Sequence, residues 1–238
     1  MTRATPALLL TRPKAESEAF LADLRARVSV GRVVVSPVLR IVPRDARVDM
    51  SDVTAVILTS AHAARLYDGP LGFRAYCVGR RTTETARAHG FDAEFCGENA
   101  DGLVAYLLKK RPAGHMLHLR GAHARGDIVA RLSDAGLRAS ETVIYDQEAV
   151  ALDPEARALL DGKEPVVLPL FSPRSADILA KAGVPRAPIH VVAISAAVAD
   201  HAEALRPRRM QIAKNPDRTA VCELVAALYL RGTPLEGG

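Results

Sequence analysis

The chain repeats itself. Ala55-Val-Ile-Leu-Thr-Ser60-Ala returns in outline as Val167-Leu-Pro-Leu-Phe-Ser172-Pro, with Ser172 against Ser60 at an offset of 112 residues. Tyr76-Cys-Val-Gly79 returns as Val192-Ala-Ile-Ser195, and Asn99-Ala-Asp101 as Asn215-Pro-Asp217, both offset by 116. Landmarks that keep their order and nearly keep their spacing mark a duplicated structural unit. Shared strand and helix periodicity alone also produces loose matches of this kind. The stretch from Met116 to Tyr145 finds its counterpart at the N-terminus, where Arg12 answers Arg120, Leu24 answers Leu132 and Val35 answers Val143, each at an offset of 108. One domain, residues 40–145, is therefore expected to be inserted into a discontinuous one built from 1–36 and 164–238. Connectors 37–39 and 146–163 join them, in polar segments around Pro37, Pro43 and Pro154.

Within each half, short runs of Val, Ile and Leu alternate with longer stretches carrying apolar residues at helical spacing. That is the pattern of a parallel sheet covered by helices. Strands are expected at Ala7–Thr11, Arg32–Val35, Ala55–Thr59, Ala75–Val78, Ala93–Phe95, Met116–Leu119, Thr142–Tyr145, Val166–Phe171, His190–Ile194 and Met210–Ala213. The helices expected between them are Lys14–Arg27, Thr83–His89, Asp101–Lys110, Asp127–Ala135, Ser175–Ala182, Ala196–Leu205 and Ala220–Leu230. The fold class is α/β, with two similar flavodoxin-like parallel-sheet domains joined by a two-stranded linker. A length of 238 residues suffices for both.

Several functions are excluded or disfavoured. Lys and Arg number 32 against 27 Asp and Glu, and five Phe, five Tyr and no Trp leave little for stacking on bases, so no nucleic-acid partner is expected. Ala7–Leu10 is too short for a signal-peptide core and no run approaches a membrane span, so a cytoplasmic location without membrane contact is expected. Cys77, Cys96 and Cys222 are isolated and odd in number, which suggests neither a disulfide framework nor a zinc site. His115, His118 and His123 lie close together but without a carboxylate or cysteine at ligand spacing, so no metal is expected. The nucleotide-binding glycine fingerprints and the Gly-x-Ser-x-Gly elbow are absent. A monomer is expected, because no long apolar surface stripe is evident.

In open parallel sheets, ligands collect where strands end and helices begin, because free helix-end amides favour anions. The loops at those positions are Thr11-Arg12-Pro13, Thr59-Ser60, Gly79-Arg80-Arg81-Thr82, Arg120-Gly121 and Ser172-Pro173-Arg174-Ser175. Their arginines suit carboxylate or phosphate ligands, and they suit solvated surfaces equally well. Each hydroxyl is also a natural helix cap. Tyr145 ends a strand at the domain junction, as a proton donor or as a packing residue.

Taken in series, these loops resemble uroporphyrinogen-III synthases over nearly the whole chain. The resemblance rests on Leu8-Leu-Leu-Thr-Arg-Pro13, Ile57-Leu-Thr-Ser-Ala61, Val78-Gly79 with Thr82, Leu119-Arg-Gly121 with Arg125, Val143-Ile-Tyr145, Phe171-Ser-Pro173 and Asn215-Pro-Asp217. It implies a cofactor-free lyase that dehydrates hydroxymethylbilane to an azafulvene. Closure through a spiro intermediate then inverts the terminal pyrrole and gives uroporphyrinogen III. By the same resemblance, Tyr145 assists departure of the hydroxyl. Thr11, Arg12, Thr59, Ser60, Thr82, Arg120, Ser172 and Arg174, in the strand-end loops, are expected to hold the substrate carboxylates. The chain departs from the family at Ile194-Ser-Ala-Ala-Val198, where Ile-Gly-x-x-Thr is usual, and at Arg80 and Arg81, where small residues are usual. A cytosolic two-lobed sensor or carrier of small anions is the alternative that the repeat and basic loops also fit.

Overall fold

A computed structural model describes residues 5–123 and 126–230. The chain divides into two units, one of Met1–Arg40 with Ala149–Gly238 and one of Ile41–Glu148. The first unit holds the strands β1 (Ala7–Leu10), β2 (Val33–Val35), β9 (Val166–Leu170), β10 (Ile189–Ala193) and β11 (Arg209–Ile212). Its helices are α1 (Lys14–Arg25), α6 (Pro154–Leu160), α7 (Pro173–Ala182), α8 (Ala196–Ala202) and α9 (Arg218–Leu230). The second sheet is built from β3 (Leu39–Pro43), β4 (Val53–Leu58), β5 (Arg74–Val78), β6 (Asp92–Gly97), β7 (His115–Gly121) and β8 (Ala139–Ala149). Its helices are α2 (Ala61–Leu66), α3 (Arg80–Ala88), α4 (Ala100–Lys110) and α5 (Ile128–Asp134).

The two sheets read β11-β10-β9-β1-β2 and β6-β5-β4-β7-β8-β3. Under the repeat, β9, β10 and β11 answer β4, β5 and β6, and β1 and β2 answer β7 and β8, so the sheets share one strand order. β3 is an addition at the edge. The first unit is discontinuous because its sheet takes β1 and β2 from one end of the chain and the other three strands from the far end.

Each central strand is buried on both faces, and its side chains alternate between two cores, as the two-residue strand period requires. In β1, Ala7 and Leu9 join the core formed with α6, α7 and α8, while Leu8 and Leu10 face Phe20 and Leu24 of α1 and Val221 and Val225 of α9. In β4, Val56 and Leu58 pack with Ala63 and Ala64 of α2 and Ala86 of α3; Ala55 and Ile57 meet Leu103 and Leu107 of α4 and Leu132 of α5. Pro169 stands within β9 opposite Val192 of β10, and β1 pairs only with Val166 and Val167. A proline lacks the donor that a second ladder needs, so pairing with β1 ends before it.

The sequence reading and the structure differ at four elements. β3 and α2 were not expected, β8 runs from Ala139 to Ala149 where a strand ending at Tyr145 was expected, and α6 occupies part of 146–163, expected to be a connector. Pro154 opens α6 instead of breaking the chain, since a first-turn proline loses no helical hydrogen bond. Ala156, Leu159 and Leu160 behind it enter the first unit's core. The divisions fall inside strands, in β3 and in β8.

The starting ends of β4, β7 and β8 are tied by one imidazole. His115 Nδ1 lies 2.9 Å from Asp52 Oδ1 and Nε2 lies 2.7 Å from Ser140 Oγ, while Arg138 also pairs with Asp52. No helix among the described residues is long and apolar enough to cross a membrane.

Leu168 is fully buried in β9, and Leu168→Ala is expected to cost about 2–5 kcal/mol in urea unfolding. The half-exposed Ile212 of β11 should tolerate the same change within about 0.5 kcal/mol. Equal losses at the two positions would contradict the two-faced core.

Candidate active site

The strand β8 holds the feature that shapes the second unit's upper end. Leu119 pairs with Thr142 and Arg120 with Val143, but Gly121 pairs with Tyr145, so Ile144 is an extra residue. Such a bulge re-aims the side chains that follow it. Ile144 and Tyr145, although consecutive, consequently enter the same hydrophobic cluster. The phenol ring of Tyr145 lies against Gly121, where a Cβ would come within 2.5 Å of it. Only glycine leaves room for the ring.

Around that ring lies a cleft of about 330 Å³, lined by Thr59, Ser60, Val78, Ala100, Gly121, His123, Tyr145 and Gln147. Its walls come from the carboxyl ends of β4, β5, β7 and β8, where ligands collect in sheets of this kind. Tyr145 is almost fully buried. Burial raises its phenol above the ordinary value, and a hydrogen bond with the Ser60 hydroxyl opposes part of that rise. The phenol therefore stays protonated at neutral pH, as an O–H donor. The His62 ring stands 6.0 Å from it, centroid to centroid.

Thr59 shares a 3.1 Å hydrogen bond with His118 Nε2. His118 is buried within β7, and burial pushes its pKa down to about 4, so the ring is neutral where the protein works. Ser60 caps α2 by accepting the His62 N–H at 3.1 Å. Thr82 is buried in the first turn of α3, outside the lining of the cleft. Arg120, one of the expected substrate contacts, is engaged within the protein through both terminal nitrogens. Its Nη2 meets Glu141 at 2.5 Å, and its Nη1 donates to the Gly121 and Ala122 carbonyls at 3.1 and 3.3 Å. Through these contacts Arg120 braces the loop beside Tyr145, while its buried Nε has no hydrogen-bond partner among the described residues. Arg125 lies outside the described residues.

In the first unit, Thr11 is buried at the end of β1, and its carbonyl accepts the Val38 N–H. Arg12 lies over the Phe171 ring at 4.3 Å, and that ring packs edge-on against Phe20. Ser172 caps α7 by accepting the Ser175 N–H at 3.1 Å, and Arg174 lies half-buried in the following turn. Thr11, Arg12, Ser172 and Arg174 thus gather at the ends of β1 and β9, and Thr59, Ser60 and Tyr145 where β4 ends and where the pairing of β8 with β7 ends.

Gly121, His123, Ala100 and Gln147 enter the cleft without having been singled out as contacts. Gly121 had a signal in the Arg-Gly pair, whereas the other three depend on the bulge and on loop paths that periodicity does not encode. The three neighbouring histidines go to separate partners, His115 to Asp52 and Ser140, His118 to Thr59, and His123 to Asp146. Burial pushes the thiols of Cys77 and Cys96 up to about 12 and about 11, so neither is a thiolate nucleophile near neutrality.

Gly121→Ala should displace the Tyr145 ring, costing about 1–3 kcal/mol in thermal or urea unfolding. In ultraviolet titration one phenol should move back towards its ordinary pKa; unchanged stability and titration would contradict the packing described. His118 binds its proton only near pH 4 when folded, against about 6.5 when unfolded. The unfolded chain thus takes up a proton that the folded one refuses, and stability should fall by up to about 3 kcal/mol as pH drops from about 6.5 to about 4. His118→Asn should lose that part of the slope in unfolding free energy against pH, and identical slopes would remove the assignment.

With curated proteins, the sequence finds no match. The family model described as HEM4, uroporphyrinogen-III synthase HemD, matches residues 20–223. Among solved structures, uroporphyrinogen-III synthetase from Helicobacter pylori 26695 is similar at a TM-score of 0.70 and 18% identity, over 94% of this chain and 100% of that one. Wild-type uroporphyrinogen III synthase from the extremely thermophilic bacterium Thermus thermophilus aligns at a TM-score of 0.41 and 15% identity, over 95% of this chain and 98% of its own. The Helicobacter pylori structure agrees with the two-unit α/β fold, and the family match runs from within α1 to within α9: the chain belongs to the uroporphyrinogen-III synthase family.

Proposed function

We propose that this protein cyclises hydroxymethylbilane to uroporphyrinogen III, inverting the terminal pyrrole, as a cofactor-free lyase of tetrapyrrole biosynthesis. The observation that carries this reading is a buried, neutral phenol opening on a polar cleft, in a chain whose family match spans residues 20–223. The first chemical demand of the reaction is loss of hydroxide from the bilane's terminal carbon. A donor that delivers a proton to that oxygen makes the leaving group water. The Tyr145 phenol meets this demand, since burial keeps it protonated and it lines the cleft with Ser60 beside it.

The second demand is shape. The bilane also closes unaided, without inversion, so the protein must favour one folded conformation of a flexible polycarboxylate. Thr59, Ser60 and Thr82 at the strand ends of one unit, and Thr11, Arg12, Ser172 and Arg174 at those of the other, are the proposed carboxylate contacts. Helix-end amides and guanidinium groups serve such contacts without any metal or cofactor. Arg120 acts indirectly in this scheme, by holding the Gly121-Ala122 loop on which the Tyr145 ring rests. The proposal includes a cytoplasmic location, with which the free, buried Cys77, Cys96 and Cys222 are compatible. It also includes a monomer, supported by large exposed apolar side chains that, among the described residues, are spread along the sequence at Leu71, Val184, Ile212 and Leu230.

Freshly prepared hydroxymethylbilane, with chromatographic separation of the isomers, tests the activity. Type III should exceed the uncatalysed background, whereas type I alone would reject the synthase and leave a binding protein. Tyr145→Phe is expected to lower kcat about 10²-fold or more with KM little changed, and full turnover would remove Tyr145 from the chemistry.

A further inference from the structure

Dehydrative ring closure moves two protons. One goes to the departing hydroxyl, and one must leave the pyrrole carbon that has made the new bond, so that water is the net loss. Tyr145 suits the first transfer. It does not suit the second, because the burial that keeps its phenol protonated also opposes a lasting phenolate. The cleft therefore needs a group that accepts a proton and tolerates the charge it brings.

We infer that His123, backed by Asp146, is the proton acceptor of this cleft. The inference rests on the synthase reading above and adds a second reacting group to it. His123 lines the same cleft as Tyr145. Its Nε2 lies 3.8 Å from Asp146 Oδ1, and Asp146 directly follows Tyr145 in β8. The carboxylate is itself fixed: Arg44 Nη2 donates to Oδ2 at 2.7 Å and the Gln147 N–H donates to Oδ1 at 2.7 Å. Arg44 first, and then the Gln147 amide, hold the Asp146 carboxyl below the usual carboxylate range. An imidazolium formed at His123 would thus meet an anion already in place. The cleft's other lining residues, Tyr145 aside, carry no titratable side chain. Among the described residues, His123 pairs with Asp146, and Arg44 stands behind that carboxylate.

The proton balance closes through solvent. The phenol of Tyr145 gives its proton to the leaving hydroxyl as the C–O bond breaks, which leaves water and an azafulvenium cation, and the phenolate takes a proton back from solvent water before the ring closes. The terminal pyrrole forms the new carbon–carbon bond, and after fragmentation and re-closure the proton on its ring carbon passes to the His123 imidazole, which neutralises the cation. The imidazolium then gives that proton up to solvent water. Both side chains end as they began, and the substrate has lost one water.

The test is the pH dependence of type III formation from hydroxymethylbilane, across about pH 5 to 9. It compares the wild type with His123→Gln and Asp146→Asn, each variant first checked for an unchanged melting temperature. His123 is half-exposed, so His123→Gln is expected to fold. It should lower kcat about 10–100-fold, leave KM within about twofold and abolish the acid limb of the kcat profile. Asp146→Asn should lower kcat in the same direction with KM little changed, because the imidazolium formed during turnover loses the anion beside it. Added imidazole should restore part of the activity of His123→Ala. Wild-type kcat in His123→Gln would overturn the inference. So would a lowered kcat with the acid limb in place and no rescue by imidazole, since that pattern marks a merely structural role. A wild-type protein that forms no type III above background would overturn the synthase reading itself, a result distinguishable from both.

Discussion

The phenol ring of Tyr145 resting on the bare backbone of Gly121 is the contact on which the second unit's cleft depends. A β-strand alternates its side chains strictly, so two consecutive residues enter one core only if the ladder is interrupted. The extra residue in β8, Ile144, provides that interruption. Without it, the residues after Val143 would change faces, and the aromatic ring, the carboxylate of Asp146 and the amide of Gln147 would all be directed differently. The missing side chain at Gly121 and the bulge opposite it are two halves of one device. Neither has a use without the other.

The two ends of the second sheet serve different purposes. Where its strands begin, charges are spent on cohesion: His115 links Asp52 to Ser140, and Arg138 adds a further tie to Asp52. Where the strands finish, the polar groups are tuned mainly by burial. Desolvation holds His118 neutral and Tyr145 protonated, which gives Thr59 and Ser60 uncharged partners. Charge enters the cleft from the side, through His123 and Asp146, with Arg44 as anchor.

Much of this architecture was legible in the sequence. Runs such as Ala7–Leu10 and Val166–Leu170 are apolar throughout because both faces of a central strand are covered, and such runs are easily seen. The repeat revealed that the N-terminal strands belong with the C-terminal ones. Other elements lack that signal. β3 is a half-exposed edge strand ending in Pro43, α2 has only six residues, and α6 begins at a proline that reads as a break. For the site, a strand end rich in hydroxyls was enough to suggest Thr59, Ser60 and Tyr145. For Arg120 the sequence showed a guanidinium after a strand, but not that it meets Glu141 on the neighbouring strand, a partner 21 residues away. His123 was considered only as a metal ligand, since its pairing with Asp146 is distant in sequence and depends on the path of the β7–α5 loop.

The discontinuity of the first unit has a consequence for the protein's birth on the ribosome. β1 must sit between β2 and β9, and β9 begins only at Val166. The emerging Ala-Leu-Leu-Leu strand therefore waits, unpaired on one edge and uncovered on one face, until well over a hundred further residues have been made. The inserted unit, contained within Ile41–Glu148, has every strand of its core in hand before then. The nascent chain is thus expected to acquire its middle first and to hold an apolar N-terminal segment in reserve. Over that interval it is most exposed to off-pathway association and most in need of a chaperone's shelter.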